Sequence, residues 1–234
     1  MNKKMLYRIL IYIAGLLTLA MGIILNTKAG LGVSPIISIS YSTSEITKTN
    51  FGNMTFVLYG VFVLIEFVLH IIIWRKKVRK NETYHIKKVL LMDALQLPLS
   101  FFFTRFMNLF SGFIPELTSL KGTMWNTIPA RVGVLLLAII LTGIGAAMSL
   151  DMRIIPNPGD GIVQAMSDTC GKEVGLVKNC FDVFNICLTT TLCLIFIGHI
   201  IGIGVGTLIA VVGVGRVIAA FNYIFMKKFV KLEI

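Results

Sequence analysis

Glu66, Asp93, Gln96, Asp182, Asn185 and Arg216 are polar or charged side chains set inside long apolar runs. An ionised group at the centre of a bilayer costs at least about 2.5–3.5 kcal/mol, so by default it marks a pathway or a buried pair. Arg216, in Gly213-Val214-Gly215-Arg216-Val217, needs an acidic partner, and Asp93 and Asp182 are the candidates. Asp182 and Asn185 are three residues apart and share one helix face. Two uses fit this set: a structural ion pair, or a site for a solute or proton. Glu66 is placed either near a helix end or facing the bundle.

A second pattern concerns helix starts. In Ser34-Pro35 and in Asn157-Pro158-Gly159-Asp160-Gly161 a polar residue precedes proline. Ser and Asn are good N-caps, and Pro suits the first helical position. If these helix starts reach the middle of the membrane, their free N–H groups offer converging partial positive charge to a solute or ion. A plain capped turn at the membrane surface is the other reading. The Asp160 carboxylate already occupies one of these ends, which argues against an anion site. The candidate binding set is therefore Ser34, Asn157, Asp160, Asp182, Asn185 and Arg216.

The elements that must position these residues are membrane helices. Of the 234 residues, 56% are hydrophobic and 14% charged, where a soluble domain carries about 25% charged. Apolar runs over 9–25, 55–74, 89–106, 132–149, 177–197 and 203–223 reach the length of roughly 20 residues that a crossing needs. They fill most of the chain, so residues 1–234 are expected to form a single membrane domain. The net charge of +11 does not point to nucleic acid, because the basic residues cluster beside helix ends, as in Arg75-Lys76-Lys77-Val78-Arg79-Lys80 and Lys227-Lys228. Such runs set topology and meet anionic head groups. The first apolar run is too long for a signal peptide and lacks a small-x-small cleavage site, so it is expected to be retained. Cys170, Cys180, Cys187 and Cys193 form no Cys-x-x-Cys pair, which argues against a disulfide framework or zinc site.

A shift of 123 positions, the distance from Arg8 to Arg131, also places Gly22 on Gly145, Pro35 on Pro158, Ser44 on Ser167 and Gly52 on Gly175. The weight lies in Gly and Pro, which mark backbone geometry. Each half reads as a long helix, a polar loop, a short helix, a Gly turn and two long helices (repeat 1 over 8–108, repeat 2 over 131–226). The short segments 33–47 and 157–170 decide the topology. If both cross, there are eight spans, with 12 Lys/Arg inside and 9 outside. If neither crosses, there are six spans, both termini are cytoplasmic, and the counts become 16 inside and 5 outside. Positive charge belongs inside, so six spans are expected. Three crossings per half invert the second half relative to the first. The expected fold is thus an all-α polytopic membrane protein of two inverted repeats, each with three transmembrane helices plus one short re-entrant helix. Irregular backbone at membrane depth needs shelter from protein or a water-filled cavity, an arrangement common in transporters.

Gly198, Gly202 and Gly206 recur every four residues, which places them on one helix face for packing within the fold or across a homodimer. Gly202-Ile203-Gly204-Val205-Gly206-Thr207 is no nucleotide loop, since no strand precedes it and no Lys follows Gly206. His70, His85 and His199 are scattered, and no nucleophile–base or metal-ligand cluster can be named. Neither an enzyme nor a cofactor is expected.

Three stretches resemble a known group: Lys28-Ala29-Gly30-Leu31-Gly32-Val33-Ser34-Pro35, Gly159-Asp160-Gly161, and Gly204-Val205-Gly206-Thr207 through Gly213-Val214-Gly215. Over nearly the whole chain they are similar to the YczE/YyaS/YitT group of bacterial integral membrane proteins. The resemblance implies a multi-pass protein of the bacterial cytoplasmic membrane rather than a defined activity. The last helices of the two halves differ in sequence, which favours a one-sided site at Arg216. The expectation is a small-solute or ion transporter with a central site between the re-entrant helices. The alternative is a non-transporting partner or regulator of another membrane complex.

Overall fold

The computed structural model describes the backbone of residues 3–152 and 154–233, with side chains as far as residue 225. Arg153, Lys227, Lys228 and Lys231, which entered the charge argument, fall outside the described side chains. Among the described residues there are eight α-helices: α1 (Lys3–Ala29), α2 (Pro35–Thr47), α3 (Phe51–Arg79), α4 (Ile86–Phe113), α5 (Ile128–Asp151), α6 (Pro158–Cys170), α7 (Val174–Ile197) and α8 (Val205–Glu233). Six of them, all but α2 and α6, are long and apolar enough to cross a membrane. The protein is an all-α, six-span polytopic membrane protein, and the order long–short–long–long occurs twice along it.

The two short helices have the same design. Each has 13 residues with Pro in its first turn, and each ends on a left-handed residue, Lys48 (φ 56°) or Gly171 (φ 65°). At 1.5 Å per residue such a helix is about 20 Å long, short of a hydrocarbon core of about 30 Å. Both lie against α3 and α7, and neither could face lipid. The buried residues of α2 are Pro35, Ile37, Ser38, Ser40, Ser42 and Ser44, so the serines are covered on two opposite sides of the helix. These hydroxyls survive burial because Ser38, Ser40 and Ser44 each donate to a carbonyl three residues earlier.

The outside of the bundle is oily and the inside partly polar, as lipid requires. On α3, Val57, Val61, Leu64, Ile65 and Val68 form an exposed stripe, while Thr55, Tyr59, Phe62 and Glu66 turn inward. Lipid supplies little hydrophobic drive between helices, so close packing must hold them together. The closest approach is between α1 and α5. A Cβ on Gly22 would stand 2.5 Å from the Thr142 backbone nitrogen. A Cβ on Gly145 would press even closer on that of Leu19.

Reciprocal caps fix the direction of this pair. Arg8 Nη2 donates to Met152 O (2.6 Å) beyond the end of α5. Arg131 Nε donates to Ala29 O (2.8 Å) and its Nη2 to Gly30 O (2.5 Å) at the end of α1. Each arginine therefore meets the negative C-terminal end of the other helix. The start of α1 meets the end of α5, and the start of α5 the end of α1. The two helices run antiparallel.

One expectation fails here. Gly198, Gly202 and Gly206 do not share a helix face, because α7 stops at Ile197 and α8 starts at Val205. Gly198 and Gly202 have positive φ (74° and 80°), which a continuing helix cannot hold. Gly202 O accepts from Val33 N–H, and Gly206 N–H donates to Leu31 O, both at 2.8 Å. Gly202 and Gly206 are thus used inside this chain.

Candidate functional site

Helices α3 and α4 run side by side and bring three of the costly side chains together. Glu66 (1% exposed), Gln96 (0%) and Asp93 (3%) are all buried. Gln96 Nε2 donates to Glu66 Oε2 at 2.7 Å. One helical turn further along α3, His70 Nδ1 lies 2.7 Å from Asp93 Oδ2. Helix α6 closes the third side. A Cβ on Gly161 would stand 2.8 Å from both Glu66 carboxylate oxygens, so the absence of a side chain there lets the acid lie against the α6 backbone.

A cavity of about 410 Å³ opens at this place. Its polar lining includes Glu66, His70, Asp93, Gln96, Asp160 and Lys178, and its apolar lining includes Ile36, Leu150, Val163 and Ile218. Two acceptor atoms of its lining residues, Glu66 Oε1 and Gln96 Oε1, are buried at its wall without a donor among the described residues. Buried acceptors ordinarily have partners. A smaller cavity of about 70 Å³ adjoins it, lined by Ser34, Asn157, Asp160, Tyr59 and Thr142. Asp160, Lys178, Ile36, Gly159 and Ile218 line both.

The structure places Ser34, Asn157 and Asp160 together on the small cavity, where the starts of α2 and α6 meet. The free N–H groups expected at α6 are not offered there, however. Gly159 N–H goes to Asn157 Oδ1 (3.3 Å), and the Asp160 and Gly161 N–H groups go to Asn157 O (both 2.8 Å). Ser34 sits at the cap position of α2 without a side-chain capping bond.

Asp182 and Asn185 are buried on the inner face of α7 but line neither cavity. Asp182 Oδ2 accepts from Lys178 Nζ at 2.7 Å, and Asn185 Nδ2 donates to Phe181 O at 2.7 Å. Arg216 is a correction to the sequence reading. It is exposed on α8, and among the described residues it has no ion pair. Its two expected partners are held elsewhere, Asp93 by His70 and Asp182 by Lys178.

Sequence reasoning underrated Glu66 and passed over His70, Lys178 and Gly161 as site residues. A signal for His70 existed. Glu66 and His70 are four apart on α3, Gln96 and Asp93 three apart on α4, so each pair shares a helix face. Two such polar faces on consecutive membrane helices are expected to be buried against each other.

Six apolar crossings around a polar, cavity-bearing interior define the class: a polytopic α-helical membrane protein. Residues 6–223 match the DUF6198 family, described as a family of unknown function, and the chain belongs to it. No curated protein and no solved structure matches the chain.

Proposed function

We propose that the protein is a small-solute or ion transporter of the bacterial cytoplasmic membrane, with its site in the cavity between α3, α4 and α6. The observation that carries this reading is the pairing of a cavity with unpartnered buried acceptors at Glu66 and Gln96 in its wall. Polar groups left unpaired inside a membrane protein are costly, and beside a cavity they are the groups a ligand can complete. The reading includes two inverted repeats, in which α2 and α6 enter from opposite faces as re-entrant helices and both termini are cytoplasmic. The antiparallel pair α1–α5, capped by Arg8 and Arg131 in reciprocal fashion, supports the inversion. In that arrangement the larger cavity lies on the cytoplasmic side, with α6. The likeness to the YczE/YyaS/YitT group belongs to this proposal too. The chain acts as a carrier on this reading and is assigned no chemical step.

The test is exchange of small solutes across proteoliposomes holding the purified protein. Glu66→Gln and Asp160→Asn should each lower exchange on the order of tenfold, the cost of losing one charge-assisted contact. Wild-type rates in both correctly inserted variants would remove the cavity from the route.

A second reading has its own observation. An exposed guanidinium midway along a membrane-crossing helix seeks a carboxylate, and Arg216 finds none among the described residues. The acids Glu66, Asp93 and Asp182 are buried, so a second copy has none of these to offer. On this reading α8 docks against an acidic helix of a different membrane protein. Stoichiometric co-purification of such a partner, lost in Arg216→Leu, would support it.

A further inference from the structure

We infer that the cavity binds an organic cation with several N–H donors, a primary ammonium or guanidinium head on a short apolar body. The inference rests on the transport reading and names the substrate class for that site. Three observations carry it.

The first is the kind of atom left without a partner. With Glu66 as a carboxylate, its Oε1 and Gln96 Oε1 both accept and neither donates. The Gln96 amide cannot be turned to reverse this, because its oxygen would then face the Glu66 carboxylate now 2.7 Å from Nε2. Two acceptors on neighbouring side chains call for a ligand that supplies two donors at once. An ammonium or guanidinium does so, and a carboxylate or phosphate does not.

The second is charge. In a chain of net charge +11, this cavity collects the carboxylates of Glu66, Asp93 and Asp160, and its basic lining among the described residues is Lys178 and His70. Lys178 is held by Asp182, and His70 by Asp93. Among the described residues Glu66 and Asp160 have no ion pair of their own, and Lys178 is the one lysine or arginine in the lining. Carboxylates in a site shielded from water favour a cation far more than they would in water.

The third is room. About 410 Å³ is far more than a bare metal ion fills, and it falls within the range of small-molecule sites. Among the described residues no group of His, Cys, Asp and Glu is placed to hold a metal ion. The walls away from Glu66, including Ile36, Leu150, Val163 and Ile218, suit a hydrocarbon body.

The experiment uses the full chain in nanodiscs, with n-butylammonium, butyramide and butyrate as probes of matched size. A ligand that binds the folded state raises its apparent Tm in a concentration-dependent way. Butylammonium should raise it, and butyramide and butyrate should not. Glu66→Gln should weaken the effect by at least about tenfold, as expected for loss of a charge-assisted partner. Ile218→Trp fills the cavity from its apolar side without touching the acid, and should abolish the effect even if Glu66→Gln does not fold. A shift that survives Ile218→Trp, or a folded Glu66→Gln that binds as wild type does, overturns the assignment. So does stabilisation by butyrate. Counterflow in proteoliposomes separates this failure from that of the transport reading. Butylammonium binding without exchange keeps the site and removes transport, whereas exchange of butyrate or butyramide keeps transport and removes the cationic class.

Discussion

The two short helices are packed alike and finished differently. On α2, Ser38 Oγ lies 2.8 Å from Thr189 Oγ1 of α7. The contact is further latched by Ser42 Oγ donating to Ile201 O (2.7 Å) and Val33 N–H to Gly202 O (2.8 Å). The positions 123 residues from Ser38 and Thr189 are Gly161 and Glu66. There the hydroxyl pair is replaced by an acid lying against bare backbone, with one oxygen unpartnered and a cavity beside it. One element order occurs twice: the Ser38–Thr189 pair of the α2–α7 contact is satisfied and shut, the Glu66–Gly161 contact of α3 and α6 unsatisfied and open. Where the hydroxyls complete one another, the interface is structural; where the acid is left incomplete, the proposed site lies.

The largest expected effect comes from the frame that both regions share. Gly145→Ala puts a methyl group against the backbone of Leu19, which has no rotamer with which to yield. Overpacking of this kind costs about 1–3 kcal/mol, and the upper end is expected here because backbone is struck. Reversible unfolding in mixed micelles should show it, with Gly133→Ala as the control, since nothing lies within 4 Å of a Cβ there. Equal stability of the two variants would mean that α1 and α5 are not closely packed.

Next in size is a variant that turns the open region into the shut one. Glu66→Thr with Gly161→Ser installs the hydroxyl pair of the other half, and loss of the acid relieves the crowding a Cβ at residue 161 would otherwise meet. Solute exchange should fall by about tenfold or more, while stability holds or rises, because a costly buried acid is replaced by a satisfied pair. Exchange at the wild-type rate would show that the difference between the regions has no functional meaning.

The reciprocal arginines come third. Arg131 donates to two carbonyls and Arg8 to one. Hydrogen bonds from charged donors contribute about 1.5–3 kcal/mol when buried, and these half-exposed ones are expected nearer 1–2. Arg131→Met should cost more than Arg8→Met by thermal unfolding. The reverse order would break the assigned caps.

Much of this fold was legible because membrane helices are specified by bulk properties. Long apolar runs gave all six crossings, and Pro35 and Pro158 marked both short helices to the residue, since proline at a helix start is a local signal. The site was less legible because it depends on which helices touch. Asp93 and Arg216 stand 123 residues apart and look equally costly in sequence. In space α4 packs on α3, so Asp93 is buried and paired with His70, while α8 packs chiefly on α5 and leaves Arg216 at the surface. The glycines at 198, 202 and 206 mislead for a related reason. A spacing of four reads as one helix face only if the helix continues, and positive φ at Gly198 and Gly202 ends it.

The smallest effect probes the shut region alone. Ser38 Oγ already gives its proton to Pro35 O at 2.7 Å, so Thr189 is the donor in the pair. Thr189→Val removes that donor, and Ser38 keeps its own bond. Interhelical hydrogen bonds in membrane proteins average about 0.6 kcal/mol and rarely exceed about 1.7, so a cost near the average is expected. Ser38→Ala leaves the Thr189 hydroxyl buried without its acceptor and should cost more. The double variant should cost less than the sum of the two, because an interface with both partners apolar strands nothing. Additive costs would mean that the two hydroxyls do not bond. The α2–α7 side would then be as unsatisfied as the α3–α6 side, and the contrast between them would reduce to the presence of Glu66.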